Sequence, residues 1–297
     1  MKNNAIIFIY VFIMLFTTKG AAQDLLESLE KEYPDTPQYE LATFKGSRIA
    51  IGHSTQNRRK GVLDIVMMQR YWNVPNSTAQ SFVADKLNAR IALEYGISDR
   101  LTFGAGGSTL DGIFDGFLKY QLVRQRKDGG GAPLSITLFQ NSAYTSKAIG
   151  GEASDRLAFT SQILIARKFT SNLSLQITPT LVHRTASFIA EDPQTQFALG
   201  LGGRYKLGGH VAIVSEYYYV ANPLASRGTY GAFALGVNWE VKNLLLQFQM
   251  TNVRGMVESD FITQTPNNFN TKDGNFVFGA NATVSIQLFN HKQKAKK

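Results

Sequence analysis

The sequence predicts an all-β chain: a closed antiparallel transmembrane β-barrel of about twelve strands, fourteen being the alternative, with a short N-terminal helix and an extended segment ahead of it. Three observations carry this reading. Apolar and polar residues alternate with period two through most of the chain beyond Gly61. Short turns and long loops alternate along it. The polar strand face is built of Gly, Ala, Ser, Thr, Gln and Asn rather than Lys and Glu. Successive strand side chains point to opposite faces. A solvated face would be rich in Lys and Glu, so the small polar set suits a crowded hydrated lumen and the apolar set faces lipid.

The chain begins with a secretory leader, residues 1–22. Lys2 supplies the positive start, Ala5 to Phe16 the apolar run, and Gly20-Ala21-Ala22 the small cleavage residues, with Gln23 the first mature residue. Twelve apolar residues are too few to span a bilayer, which takes roughly 20. Cleavage removes Lys2 and Lys19 and takes the formal charge from +9 to +7. Residues 23–60 form a periplasmic or lumenal extension. Within it, Asp24 to Tyr33 is an amphipathic helix on Leu25, Leu26 and Leu29, stopped by Pro34, and the stretch from Thr43 to Ser54 is extended.

The barrel occupies 61–289, with strands near 61–72, 88–97, 100–108, 114–124, 133–144, 157–169, 173–184, 196–207, 209–220, 229–241, 244–252 and 275–289. Alternation is plain in the hairpin Ala89 to Gly106, where Ile91, Leu93, Tyr95 and Ile97 oppose Arg90, Ala92, Glu94 and Gly96 about the Ser98-Asp99 turn. It recurs at Leu173–Leu181, Phe197–Leu207 and Phe233–Val241. Short turns at Ser98-Asp99, Thr170-Ser171-Asn172, Gly208-Gly209 and Lys242-Asn243 fall on one side. Longer loops near 145–156, 185–195, 221–228 and 253–274 fall on the other. Short turns are periplasmic and long loops extracellular in outer-membrane barrels, so both barrel ends lie in the periplasm. A strand at 47–55 would break this parity, which places that stretch in the lumen or at the rim. Arg124 and Arg167 sit at the periplasmic ends with Tyr95, Phe169, Tyr205, Trp239 and Phe289, as an aromatic and headgroup girdle does. The basic tail, 290–297, reads as a solvated terminus.

Composition excludes several classes. The chain has 297 residues and no cysteine, which removes disulfides, thiolate metal sites and a lipid-bearing N-terminal cysteine. The basic charges are scattered, and the leader argues against a nucleic-acid partner. The implied partners are outer-membrane lipid, barrel-assembly machinery and small polar or anionic solutes.

Several phrases carry a resemblance: Thr43 to Arg48, Gly52-His53-Ser54, Leu93 to Leu101, Asp115 to Tyr120, and Gln247-Phe248 with Thr251 to Met256. They resemble a family of Bacteroidota outer-membrane β-barrels catalogued as a domain of unknown function, of the 5777 type. The resemblance implies an outer-membrane barrel with a leader. It implies no activity, ligand or catalytic residue.

Candidate chemistry is sparse. His53, His183, His210 and His291 have no ligand spacing, and no HExxH is present, so no metal or cofactor is expected. The glycine clusters at 104–107, 129–131 and 200–203 open no helix after a strand and lack GK[ST], so they are no phosphate loop. A lipid-face hydrolase is one alternative: the 170–172 turn sets His183 opposite Phe159 and diagonal to Ser161, a separation that long side chains can bridge. An adhesion or binding barrel acting through loops 73–87, 145–156 and 253–274 is another. The main candidate site is the lumen, lined by Arg90, Glu94, Asp115, Lys119, Gln121, Gln162, Lys168, Gln176, Arg204, Lys206, Glu216, Asn238, Gln247, Gln249 and Asn281. These residues either pair into a closed structural barrel or line a narrow path for small polar solutes, with the basic excess favouring anions. The expected role is therefore a non-enzymatic narrow channel or a structural barrel of the outer membrane.

Overall fold

The computed structural model describes residues 37–41, 43–74, 85–147, 152–270 and 276–288. The leader, the Asp24–Tyr33 helix, Phe289 and the basic tail lie outside the described residues. So do 75–84, 148–151 and 271–274 of the three candidate binding loops. Tyr39–Lys297 is one compact unit.

Twelve strands form the wall: β1 (Val62–Trp72), β2 (Lys86–Gly96), β3 (Leu101–Ser108), β4 (Ile113–Val123), β5 (Ser135–Thr145), β6 (Leu157–Lys168), β7 (Leu173–Arg184), β8 (Thr195–Lys206), β9 (Val211–Val220), β10 (Ala232–Val241), β11 (Leu244–Thr251) and β12 (Val277–Gln287). Each pairs antiparallel with its sequence neighbours. β1 pairs with β12, from Val62↔Gln287 to Trp72↔Val277, and closes the barrel. Closure leaves no strand edge, so the backbone groups of the wall are satisfied within it. The β6–β7 ladder skips the residues between Gln162↔Thr180 and Ile165↔Ile177, where Pro179 has no N–H to give.

The two faces are those the alternation implies. Ile91 is 62% exposed and Leu93 50%, while their neighbours Arg90 and Glu94 are each 1% exposed. Around the barrel the outer face is aliphatic and aromatic, with Leu118, Leu138, Ile177, Leu201, Val237 and Phe248 all exposed. The inner face is buried and mixes polar side chains with apolar ones such as Met68, Phe117, Phe139, Leu164 and Tyr218.

What buries it is chain that is not wall. From the end bearing the short turns, the turn end, residues 43–57 run into the barrel and back out before β1. This tongue is pinned as a narrow hairpin: Ile49 N donates to Gly52 O (3.0 Å), and Ser54 N to Ser47 O (2.8 Å). From the opposite, loop end, the connection between β11 and β12 also folds inward. Val253, Met256, Val257, Glu258, Ser259, Phe261, Ile262, Thr263, Thr265 and Asn267 are buried, and a single helical turn, α1 (Glu258–Phe261), lies at its deepest part. A free extracellular binding loop at 253–274 is therefore not what forms over its described residues. Val253, Met256, Val257, Phe261 and Ile262 are too apolar to be left in water, and the lumen is where they find cover.

Candidate functional site

Tongue and inward loop share one apolar cluster at the barrel centre. Phe44, Ile49 and Ile51 of the tongue pack with Val253, Phe261 and Ile262 of the loop and with Ala198, Val214, Tyr218, Ala232 and Ala234 of the wall. Phe261 meets the Tyr218 ring edge-on, with centroids 5.5 Å apart. Met256 packs with Val66, Met68 and Ala92, and Val257 with Ile113 and Ala143.

A buried hairpin tip brings polar backbone that needs partners, and the wall supplies them. Glu216 Oε2 accepts the N–H groups of Ala50 (2.8 Å), Ile51 (2.6 Å) and Gly52 (3.1 Å). Three successive amides converging on one oxygen form an anion nest, and the anion in it is the barrel's own carboxylate. Gly52 is required there, because a Cβ would fall on the Tyr218 hydroxyl and 2.9 Å from Glu216 Oε1. The tip carbonyls are held by amide side chains. Gln247 Nε2 donates to Ile49 O (2.8 Å), as does Asn238 Nδ2 (3.2 Å), and Asn281 Nδ2 donates to Ala50 O (3.1 Å). On the returning arm, Gln176 gives Nε2 to His53 O (2.8 Å) and takes Thr55 N (3.0 Å), acting as a strand partner made of side chain. Lys119 Nζ donates to Gln56 O (2.7 Å) and Ser47 O (3.3 Å).

Charge crosses from one insert to the other. Arg48 Nη1 donates to Glu258 Oε1 (2.9 Å) and to Ile51 O (2.8 Å), joining the tongue to the inward loop. Both side chains are buried. Burial pushes the Glu258 carboxyl above its ordinary pKa, and Arg48 opposes that rise. His53 Nε2 lies 3.5 Å from the same oxygen, with its ring 4.6 Å from Phe117 and 4.4 Å from Phe139. Burial, then the charges of Arg48, Lys119 and Arg90, push His53 well below the usual histidine range. Its contact with Glu258 is that of a neutral ring, not an ion pair. At the loop end, Arg184 donates to Gln196 Oε1 (2.7 Å), to Ser259 O (2.6 Å) and to Thr263 Oγ1, anchoring α1 to the wall.

Thirteen of the fifteen lumen candidates are buried, with differing duties, and Lys168 and Lys206 are half-buried. Glu216, Asn238, Gln247, Asn281, Gln176 and Lys119 bind the tongue as described. Gln249 reaches Ala50 O and Arg70 once its amide is oriented by its neighbours. Arg90 and Asp115 form a buried pair that Asn141 joins at 3.0 Å. Glu94, Gln121 and Gln162 are buried in the wall, and Gln162 donates to Thr180 Oγ1 (3.1 Å). Arg204 pairs with Glu240 (3.0 Å), and half-buried Lys168 with Glu40 (3.2 Å), toward the turn end. Lys206 is half-buried at the same end. Arg48, His53 and Glu258 are the members that sequence reasoning missed. The signal available was the apolar content of their segments, since free polar linkers would not carry Ile49, Ile51, Phe261 and Ile262 together.

The hydrolase pair does not form. Ser161 Oγ donates to Gln140 Oε1 (2.5 Å), and His183 Nδ1 engages Thr195 Oγ1 (2.9 Å). His183 does stand opposite Phe159 in the ladder. Each side chain instead has a polar partner in a neighbouring strand, Gln140 for the serine and Thr195 for the base. Ser161 lies in an outer-wall groove of about 500 Å³ lined by Leu138, Ile163, Pro179 and Phe197.

Apolar outer belt, closed wall and a lumen filled by the chain itself together define a class, the membrane β-barrel closed from within. Residues 44–285 match the family described as membrane bound beta barrel domain (DUF5777), and the chain belongs to that family. Among solved structures, the NanC porin aligns at TM-score 0.48 and 9% identity, over 76% of this chain and 100% of its own. The KdgM porin in complex with disordered oligogalacturonate aligns at 0.48 and 9%, over 76% and 99%. Salmonella typhi OmpF in complex with daunomycin aligns at 0.37 and 10%, over 76% and 97%. No curated protein matches the chain.

Proposed function

We propose that this protein is an outer-membrane barrel held shut by its own N-terminal tongue, and that it passes small polar solutes when the tongue withdraws. One observation carries the proposal: the tongue tip sits at the lumen centre, bound mainly by side-chain hydrogen bonds. A segment meant to stay forever could pair as a thirteenth strand. One that must leave is better held by discrete polar contacts, each of which water can replace. A leader at residues 1–22, short turns facing the periplasm and insertion by barrel-assembly machinery complete the reading. The second reading is a permanently sealed structural barrel, favoured by the inward loop that backs the tongue from the other end.

Planar-bilayer conductance separates the two. The wild type is expected to be silent and Gly52→Phe, which crowds the tip off Tyr218 and Glu216, to conduct. A steadily open wild type would contradict the closed state. A silent Gly52→Phe that still migrates as a folded, heat-modifiable barrel would leave the structural reading.

A further inference from the structure

Gating by the tongue has a consequence for what the open barrel would carry, and this inference rests on that gating. Around the tongue, wall and inward loop contribute the buried carboxylates Asp64, Glu94, Glu216 and Glu258, and against them the cations Lys119 and Arg70. Arg90 and Asp115 neutralise each other. Arg204 is tied to Glu240 at the turn end, and Arg184 is held to Ser259 O at the loop-end mouth. The layer facing the tongue therefore holds two more acids than bases. The tongue and the residue that follows it supply what is missing: Arg48 reaches Glu258 at 2.9 Å, and Arg58, next along the chain, reaches Asp64 at 3.2 Å. Glu94 Oε2 and Glu258 Oε2 are buried with no hydrogen-bond partner. Those oxygens have capacity for a further cation that the closed state does not use.

We infer that the open lumen is a pathway for small cations, with Glu94 and Glu258 as its selecting groups and Arg48 and Arg58 as the tethered countercharges that leave with the tongue. The basic excess of the whole chain, which on sequence alone favours anions, does not set the field here. Much of it sits at the turn end, in Arg59, Lys60, Arg100, Arg124 and Lys127, away from the layer that faces the tongue tip. A pore lined by surplus carboxylates draws in cations and repels anions. A wall potential of one to two kT then favours potassium over chloride by on the order of tenfold.

The experiment is the reversal potential of full-length Gly52→Phe in a potassium chloride gradient across a planar bilayer. Ile49→Asn/Ile51→Asn, which weakens the tongue's apolar seat, provides a second opened form. Heat-modifiable migration checks that each is a folded barrel. Reversal toward the potassium potential is expected in both, falling toward no preference when Glu94→Gln and Glu258→Gln are added. A chloride-selective or non-selective pore overturns the inference while leaving gating intact. Cation selectivity that survives both Gln changes overturns the assignment to these residues. Folded barrels that stay silent in both opened forms overturn gating, and this inference with it.

Discussion

Glu216→Gln is the most direct perturbation of the closed state. In the wild type one carboxylate oxygen takes three amides, at 2.8, 2.6 and 3.1 Å. Hydrogen bonds to a charged group contribute roughly 1.5–3 kcal/mol, against about 1 for neutral pairs. Gln keeps the shape and one carbonyl oxygen but removes the charge, so each of the three bonds loses about 1 kcal/mol. Glu216 is fully enclosed, so Gln also relieves the cost of holding that charge out of water, which offsets roughly half of the loss and leaves about 1.4 kcal/mol. At 1.4 kcal/mol per decade, the undocked tongue becomes roughly tenfold more populated. Hydrogen exchange followed by mass spectrometry reads this directly, because the amides of Ala50, Ile51 and Gly52 exchange only when the tip leaves its acceptor. Their exchange should quicken about tenfold, while the β9 and β10 amides beside them stay protected. Unchanged exchange at 50–52 would refute the claim that Glu216 holds the tongue.

Three further outcomes follow from the same contacts. Arg48→Met strands a buried carboxylate at Glu258 and should cost about 3–5 kcal/mol, read as a lower heat-modifiability midpoint on gels, and Glu258→Leu in the same chain should restore most of it. Acidification should loosen the tongue: docked His53 titrates well below its free value of about 6.5, so the stability of the neutral docked ring is complete above that pH and declines by about 1.4 kcal/mol per unit as pH falls beneath it. Glu258, raised by burial, titrates in the opposite sense, so the measurement is the difference in tongue exchange between wild type and His53→Phe from pH 7 to pH 5. Ser161→Ala should leave fatty-acid release from phospholipid vesicles at the level of the wild type, because its hydroxyl is bonded to Gln140 and not to His183; a release that is lost in the variant would revive the acyl-transfer reading.

The wall was legible because its signal is local. Period-two alternation depends only on neighbours, and every strand falls within three residues of its sequence-based bounds, as with Leu173–Arg184. The short turns follow from the same local chemistry. Inward direction was legible too, since Arg90 and Glu94 sit between Ile91 and Leu93. What those inward groups hold was not. Glu216 is 164–166 residues from the amides it accepts, and Arg48 is 210 from Glu258. No periodicity links such positions, and a Gln or Asn in a lumen looks the same whether it faces water or a carbonyl. The tongue compounds this by being irregular: its hydrogen bonds run largely to side chains, so it follows neither the strand nor the helix period.

The inward loop misleads in sequence for a physical reason. Loop length marks 253–274 as an external connection, and in the barrel it joins β11 to β12 at the loop end. But length fixes only where a loop starts and ends, whereas its composition fixes where it rests. Val253, Val257 and Ile262 are each completely buried, and Phe261 closes on Tyr218, the residue whose hydroxyl also abuts Gly52. Tongue and loop thus enter from opposite ends and meet on the same side chains. Neither can move without exposing part of the other: withdrawing the tongue bares Ile262 and unpairs Glu258, and lifting the loop unpairs Arg48. Tongue and loop are therefore energetically coupled, through the apolar cluster they share and through the buried pair Arg48 to Glu258.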